Sequence, residues 1–511
     1  MTKRDSKIIA RRQEKMHRRL DPSRQPERSE PMLGEALLRY EMPERLIGVV
    51  QGGLGLVTQL VKHLGLAQLL DARLNLLKRH QPYHESDHVL AMVYNIVGGG
   101  RCVEGLRTMR QDVALLDALG AERIPDATTA GDFLRRFDEP NVLGLMEASN
   151  EARLGAWSSL PKATRKLALI DIDGTIVPTL GAQKEGADFS YNGKWAYAPL
   201  VVTMANTQEV LYVVNRSGNR PSHDGAVPWI DKAVALALKG DYKKARLRGD
   251  TDFSLTANFD RWSDAGVEFV FGIDAKASFV ERAKALPGCQ WRRMPRKRGK
   301  RGDGTEAASS RRQGRNFREE KVVERGFKNL RLVEEHYAEF CHKPGKCNRE
   351  YRMVVLRKRI HVFKGQLQLE DEIHYHFYIT NVPARRLSAR KTIVESNARC
   401  NQENLIEQLK NGVRATQMPT NDFMANWAYL AIGALAWNLK IWLGLVLPSS
   451  PQTKELLRME YRRFTDELVR FAAQVVKTGR YVVLRPMMVN EWTGFLLDAS
   501  DWFRRQRWRY A

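Results

Sequence analysis

Cysteine is scarce. Five residues (Cys102, Cys289, Cys341, Cys347, Cys400) are scattered through 511, an odd number with no regular spacing. That excludes a disulfide framework and points to a reducing compartment. Paired Cys-x₂-Cys spacings are missing as well, so the group His336, Cys341, His342 and Cys347 is a weak zinc candidate. The first thirty residues, MTKRDSKIIARRQEKMHRRLDPSRQPERSE, contain no apolar core. A signal peptide and a membrane span are both excluded there, and a flexible basic arm over 1–44 is expected. Only one long apolar run occurs, ANWAYLAIGALAWNLKIWLGLVLP at 425–448. Asn438 and Lys440 inside it favour a buried core helix over a span, and no membrane partner is expected. Acidic residues are outnumbered, 59 Asp plus Glu against 83 Lys plus Arg, for a net charge of +24. Such a field favours long polyanions over small neutral substrates, nucleic acid first. A chain this long is also too large for one core, and two to four domains are expected.

From about 45 to 160 the apolar residues recur at helical spacing, as in LVTQLVKHLGLAQLLDARL and SDHVLAMVYNIVGG. An all-helical region follows from this. Within it, RIPDATTAGDFLRRF (123–137) predicts a helix opened by a capping box of Thr129 with Asp132 and continued by the basic Arg135 and Arg136. A short helix, a turn and a capped basic helix suit DNA, and an ordinary helical bundle remains an equal reading.

At 166 the pattern changes. KLALIDIDGTIV, APLVVTMANT and EVLYVVNRSGN are β-rich runs, the last two closed into a hairpin at Asn206, Thr207 and Gln208. A helix, a strand, a helix and a strand follow to about 284. This is the order of an RNase H-like fold. LIDIDGT also resembles the nucleophile loop of haloacid-dehalogenase-like phosphatases, but such an enzyme needs a helix after that loop for its parallel crossover. Two strands stand there instead, and GDTDFS has Ser254 where a later aspartate belongs. The first aspartates are therefore read as metal-holding groups at a strand end. The fold class expected is α/β: an RNase H-like mixed sheet (161–284 and 384–448) with a basic loop and β-rich insertion (285–383), preceded by the helical DNA-binding region (45–160) and followed by a helical C-terminal region (449–511).

The fourth strand ends in RLRGDTDF, which sets Asp250 at a strand terminus beside Arg248. A third carboxylate, Glu403, is supplied by ESNARCNQENLIEQLKNG (395–412). On one continuous helix at about 100° per residue, Ser396, Arg399, Glu403 and Lys410 share a polar arc, while Ala398, Leu405 and Leu409 fall on another suited to burial.

These passages together resemble the DDE transposases of bacterial insertion sequences, specifically those with a β-insertion in an RNase H-like core and a Y-(2)-R-(3)-E-(6)-K signature. Arg399, Glu403 and Lys410 match that spacing and Ser396 replaces the tyrosine; DIDGT, YNGKWAYAPL, RGDTDF and FYITNVP match in order, so the resemblance runs over about 45–445. It implies that Asp173, Asp250 and Glu403 form a metal-binding catalytic triad, with Asp173 preferred over Asp171 because it immediately precedes Gly-Thr. It further implies Mg²⁺, with Mn²⁺ able to substitute, and two such ions suit in-line displacement at phosphorus. The partners implied are double-stranded DNA, as terminal inverted repeats and as target, and a homodimer or higher oligomer on paired ends in the bacterial cytoplasm and nucleoid. Arg399, Lys410, Arg248, Arg135 and Arg136 are the expected DNA contacts. The alternative is an inert or domesticated DNA-binding protein.

Overall fold

The computed structural model describes residues 2–20, 48–295, 328–364, 367–478 and 481–506. Two compact units result, one of residues 1–168, 174–243 and 402–511, the other of 169–173 and 244–401. In chain order the strands are β1 (Gly48–Val49), β2 (Ala168–Gly174), β3 (Val177–Pro178), β4 (Asp188–Phe189), β5 (Trp195–Tyr197), β6 (Leu200–Met204), β7 (Glu209–Val214), β8 (Ala245–Gly249) and β9 (Glu268–Ile273). Then come β10 (Arg292–Arg293), β11 (Lys328–His342), β12 (Tyr351–Lys364), β13 (Leu367–Thr380), β14 (Ala473–Lys477) and β15 (Val482–Pro486).

The first unit begins with helices, as the periodicity predicts, from Leu54–His63 to Glu139–Ser158. Of the basic arm, Lys3–Leu20 forms a helix whose Arg12 Nη1 donates to the Pro486 carbonyl at 2.9 Å; residues 21–44 lie outside the described residues. After β2 the chain makes a small antiparallel sheet, β3-β5-β4, and then the β6–β7 hairpin. No crossover helix follows β2, which is the observation that removes the phosphatase reading.

The backbone of β7 is covered by the apolar run. Phe423–Val446 is one helix, and 94% of its most apolar window is buried inside the protein. Asn438 explains its own place in that run: its Nδ2 donates to the Val210 carbonyl at 2.8 Å and its Oδ1 accepts from the Val210 N–H at 2.9 Å. Trp427 and Trp437 donate to the carbonyls of Val213 and Gln208 at 2.7 and 2.8 Å. An outer strand's open hydrogen-bonding groups are thus satisfied by a helix, which blocks pairing with another chain. Beneath them Glu209, fully buried, accepts from Arg153 Nε (3.0 Å), Trp157 Nε1 (2.7 Å) and Trp442 Nε1 (2.6 Å).

The C-terminal region departs from the helical expectation. Helices Pro451–Arg458 and Thr493–Arg505 are present, but β14 and β15 stand between them and pair antiparallel, with β1 on the other side of β14. Val475, Val476, Val482 and Val483 explain it, since β-branched residues lose little in an extended backbone and more in a helix. Gly53 lets the chains meet: its N–H donates to the Val469 carbonyl at 3.1 Å, and a Cβ there would collide with the Leu468 carbonyl.

In the second unit the strands run β10-β11-β12-β13-β9-β8, with the Leu169–Asp173 part of β2 next to β8. β8 and β9 are parallel, joined through the helix Phe259–Asp264. The β-rich segment after 327 is a meander of three long strands, β11 to β13, that continues this sheet by antiparallel pairing of Ile379 with Phe271. Val354, Leu356, Tyr378, Ala389 and Ile393 form one core, and Phe259, Phe269 and Phe271 stack in another. Strand, hairpin, helix, strand, helix, strand in chain order, within a mixed sheet, is the RNase H-like arrangement. The basic loop expected from 292 lies outside the described residues from 296 to 318.

Candidate active site at two strand ends

β2 carries Asp171 and Asp173 two residues apart, a spacing that puts both on one face of the strand. Their environments differ sharply. Asp171 is 1% exposed, and both its oxygens are taken by Arg248, Nε to Oδ1 at 2.6 Å and Nη2 to Oδ2 at 2.7 Å. Asp173, one step nearer the strand end, is partly open and accepts from Arg399 Nη1 at 2.9 Å.

Asp250 follows the last residue of β8 and caps the short helical turn Thr251–Phe253, accepting from the Asp252 N–H at 3.1 Å. Its side chain is a third exposed, and Arg399 Nη2 stands 4.0 Å from its Oδ2. One guanidinium therefore faces two carboxylates at neighbouring strand ends. Burial pushes the Asp250 carboxyl above its ordinary value; Arg399 draws it back and Asp252 adds to the push.

Arg248, expected at DNA, is a correction: it is 3% exposed, and besides Asp171 it donates through Nη1 to the Glu395 carbonyl at 3.0 Å. A β8 side chain pointing inward is enclosed by the sheet's covering helix. Its neighbour on the same face, Arg246, grips Glu268 Oε2 (2.9 and 2.6 Å) and Glu395 (2.6 Å). Glu395 lies in the helix Ala389–Asn397, so the two arginines fix the element that leads to Arg399. Sequence reading missed this network; the only signal for it was the alternation of Arg-Leu-Arg on β8 opposite Asp-Ile-Asp on β2.

The single continuous helix expected across 396–410 is a second correction. Ala389–Asn397 ends, Cys400–Glu407 begins, and Gln408–Gly412 is a wider π-type turn. The break comes from three-residue bonds, Arg399 N–H to Ser396 O at 3.1 Å and Asn401 N–H to Ala398 O at 3.3 Å. An arc drawn at one fixed angle per residue does not survive two such changes. Ala398 is exposed, whereas Leu405 and Leu409 are buried as expected. Ser396 is half-buried, Glu403 is exposed in the first turn of Cys400–Glu407, and Lys410 Nζ donates to the Ile176 carbonyl at 3.1 Å.

Far from these residues in sequence, the cap of the helix Ala127–Leu134 is Asp126, whose Oδ1 accepts from the Thr129 N–H at 2.8 Å. Thr129 is the third helical residue, not the cap; aspartate caps as strongly as threonine and stands three residues earlier. Arg135 and Arg136 are exposed just beyond the helix. Arg135 pairs with Asp132 at 2.7 Å. Arg136 lines a cavity of about 890 Å³ with Lys78, Arg79, Arg110 and Arg123. In the weak zinc group, Cys341 and His342 are neighbours on β11 and face opposite sides of the sheet, and Cys347 Sγ donates to the Thr256 carbonyl at 3.2 Å.

Asp173 and Asp250 offer only oxygen, the donor a hard divalent cation prefers, and a single cationic side chain already lies against both. The donor set fits such an ion.

No curated protein matches the chain. Among solved structures, a cryo-EM structure of the piggyBac transposase synaptic complex with hairpin DNA is similar, at 12% identity over 89% of this chain and 85% of that one, with a TM-score of 0.33. A family model described as Transposase DDE domain group 1 matches residues 49–500, most of the sequence, and the chain belongs to that family.

Proposed function

We propose that this transposase binds the terminal inverted repeats of an insertion sequence, cleaves the element's ends and joins them to target DNA, with Asp173, Asp250 and Glu403 as the metal-holding triad. Family membership carries the transposase activity and its dependence on divalent metal. The observation that supports the site is the Arg399 guanidinium facing the Asp173 and Asp250 carboxylates.

Two carboxylates at adjacent strand ends repel, and Arg399 offsets that repulsion. Magnesium, with manganese able to substitute, would activate the attacking oxygen and stabilise the leaving one when held there. The protein's own part is positioning. Asp171 and Arg248 stiffen β2 and β8 behind the two carboxylates, and Arg246 with Arg248 hold the helix before Arg399. Arg399 and Lys410 are the proposed grips on phosphate near the cut, and Arg135 and Arg136 with the basic cavity beside them the proposed contacts to the repeat. A homodimer or larger oligomer would bring two ends together.

The test is cleavage of a duplex carrying the element's inverted repeat. Cutting that stops with a chelator and returns with Mg²⁺ or Mn²⁺ supports the reading. Repeat binding with no cutting under any divalent ion would make the chain a DNA-binding protein with an inert core.

A further inference from the structure

A second donor cluster lies in the helical region. Glu85 opens the helix Glu85–Val97 and is 2% exposed. Its Oε1 accepts from the Leu76 and Leu77 N–H groups at 3.1 and 3.0 Å, which leaves Oε2 facing His80 Nε2 at 3.1 Å. The His84 ring stacks on that of His80, centroids 4.5 Å apart and 20° between planes. One ligand atom from each of His80, His84 and Glu85 lies within 4.8 Å of the other two.

Two imidazoles and a carboxylate oxygen are the donors of a borderline divalent ion, and three protein ligands leave a position open. Glu85 has the backing that metal-bound carboxylates have, its other oxygen tied to peptide N–H groups. The positive end of the helix would oppose a cation. Asp87, whose Oδ2 accepts from the His84 N–H at 2.8 Å, adds a second carboxylate to the first turn and offsets it.

We propose that His80, His84 and Glu85 bind a zinc-class divalent cation at a site distinct from the strand-end carboxylates. The ion joins the segment before the helix to its first turn. That segment supplies Leu76, Leu77, Lys78, Arg79 and Tyr83 to the wall of the basic cavity, so the ion sets the cavity's shape.

The experiment uses the full chain, stripped with a chelator and titrated with Zn²⁺ alone by calorimetry in excess Mg²⁺, then with Co²⁺ followed by its visible absorption. One equivalent should bind at micromolar concentration or tighter. The same equivalent should bind to a chain carrying Asp173→Asn, Asp250→Asn and Glu403→Gln together. His84→Ala and Glu85→Gln should each weaken binding at least tenfold and abolish the rise in Tm that zinc gives the unaltered chain. Failure to bind zinc, unchanged binding in His84→Ala, or loss only in the triple variant would overturn the proposal. So would a His80→Ala variant whose Tm falls equally with and without zinc, the mark of a plain His80–Glu85 ion pair.

Discussion

Arg248 holds Asp171 through two parallel hydrogen bonds of 2.6 and 2.7 Å, both partners buried, two residues before the carboxylate that faces Arg399. This pairing separates two aspartates that sequence alone left nearly equivalent. A carboxylate with both oxygens in a guanidinium fork has little left to offer a metal.

Removing one partner strands the other as a buried charge. Arg248→Met should therefore destabilise the protein by about 3 to 5 kcal/mol. Arg248→Lys should also lower stability, because an ammonium cannot reproduce the planar fork. Urea titration checks both. A Tm unchanged in Arg248→Lys, with DNA affinity reduced, would return Arg248 to the DNA surface.

Arg399 carries the opposite expectation. Its partners are partly open to solvent, so Arg399→Ala should shift Tm little and lower strand cleavage at least tenfold, with repeat binding in a gel shift largely kept. Arg399→Lys should already impair cutting, since one point charge cannot address Asp173 and Asp250 together. Cleavage at the unaltered rate in both variants would leave Arg399 a surface pairing.

Lys440 gives a pH signature. Burial pulls its amine from 10.5 down to about 7, while its Nζ donates to the Met459 carbonyl at 2.5 Å. Between those two values the unfolded chain binds a proton that the folded chain does not, so this residue makes stability rise with pH from about 7 to 10.5, on the order of 1 kcal/mol per unit. Below about 7 its charging cost is fully present. Lys440→Met should be most favourable relative to the unaltered chain at pH 6 and lose that advantage steadily toward pH 9. Chemical denaturation across the range checks it, and a difference independent of pH would contradict it.

Asn438→Leu tests the covering of β7. The substitution leaves the Val210 N–H and C=O buried without the partners they have at 2.9 and 2.8 Å, at about 1 to 3 kcal/mol for each group. Loss of stability in denaturation is the expected result. Stability equal to that of the unaltered chain would mean that packing of the helix alone suffices.

Periodicity made the strands and helices of the core legible, because burial on one face writes itself into the sequence as alternation or helical spacing. The two strands flanking the hairpin turn at Asn206, the helix-separated strands β8 and β9 and the buried apolar helix were all expected from it; that β8 and β9 pair in parallel was added by the structure. Two further things were not expected. The break before Cys400 depends on hydrogen bonds one residue shorter than helical ones, and nothing in ESNARCNQ forbids a continuous helix. The interior role of Arg248 depends on which partner faces it across the sheet, which composition does not encode; an arginine beside an acid at a strand end looks the same whether it meets DNA or Asp171. Thr129 illustrates a third limit, two equally good caps three residues apart.

The most direct measurement is strand cleavage of repeat DNA in Mg²⁺ by Asp173→Asn and Asp250→Asn chains, beside a gel shift and a Tm for each. Both variants should bind the repeat nearly as well as the unaltered chain, keep its Tm and make no cut. Cutting by either variant, in protein shown to be folded, would contradict the assignment of that strand-end carboxylate to the metal.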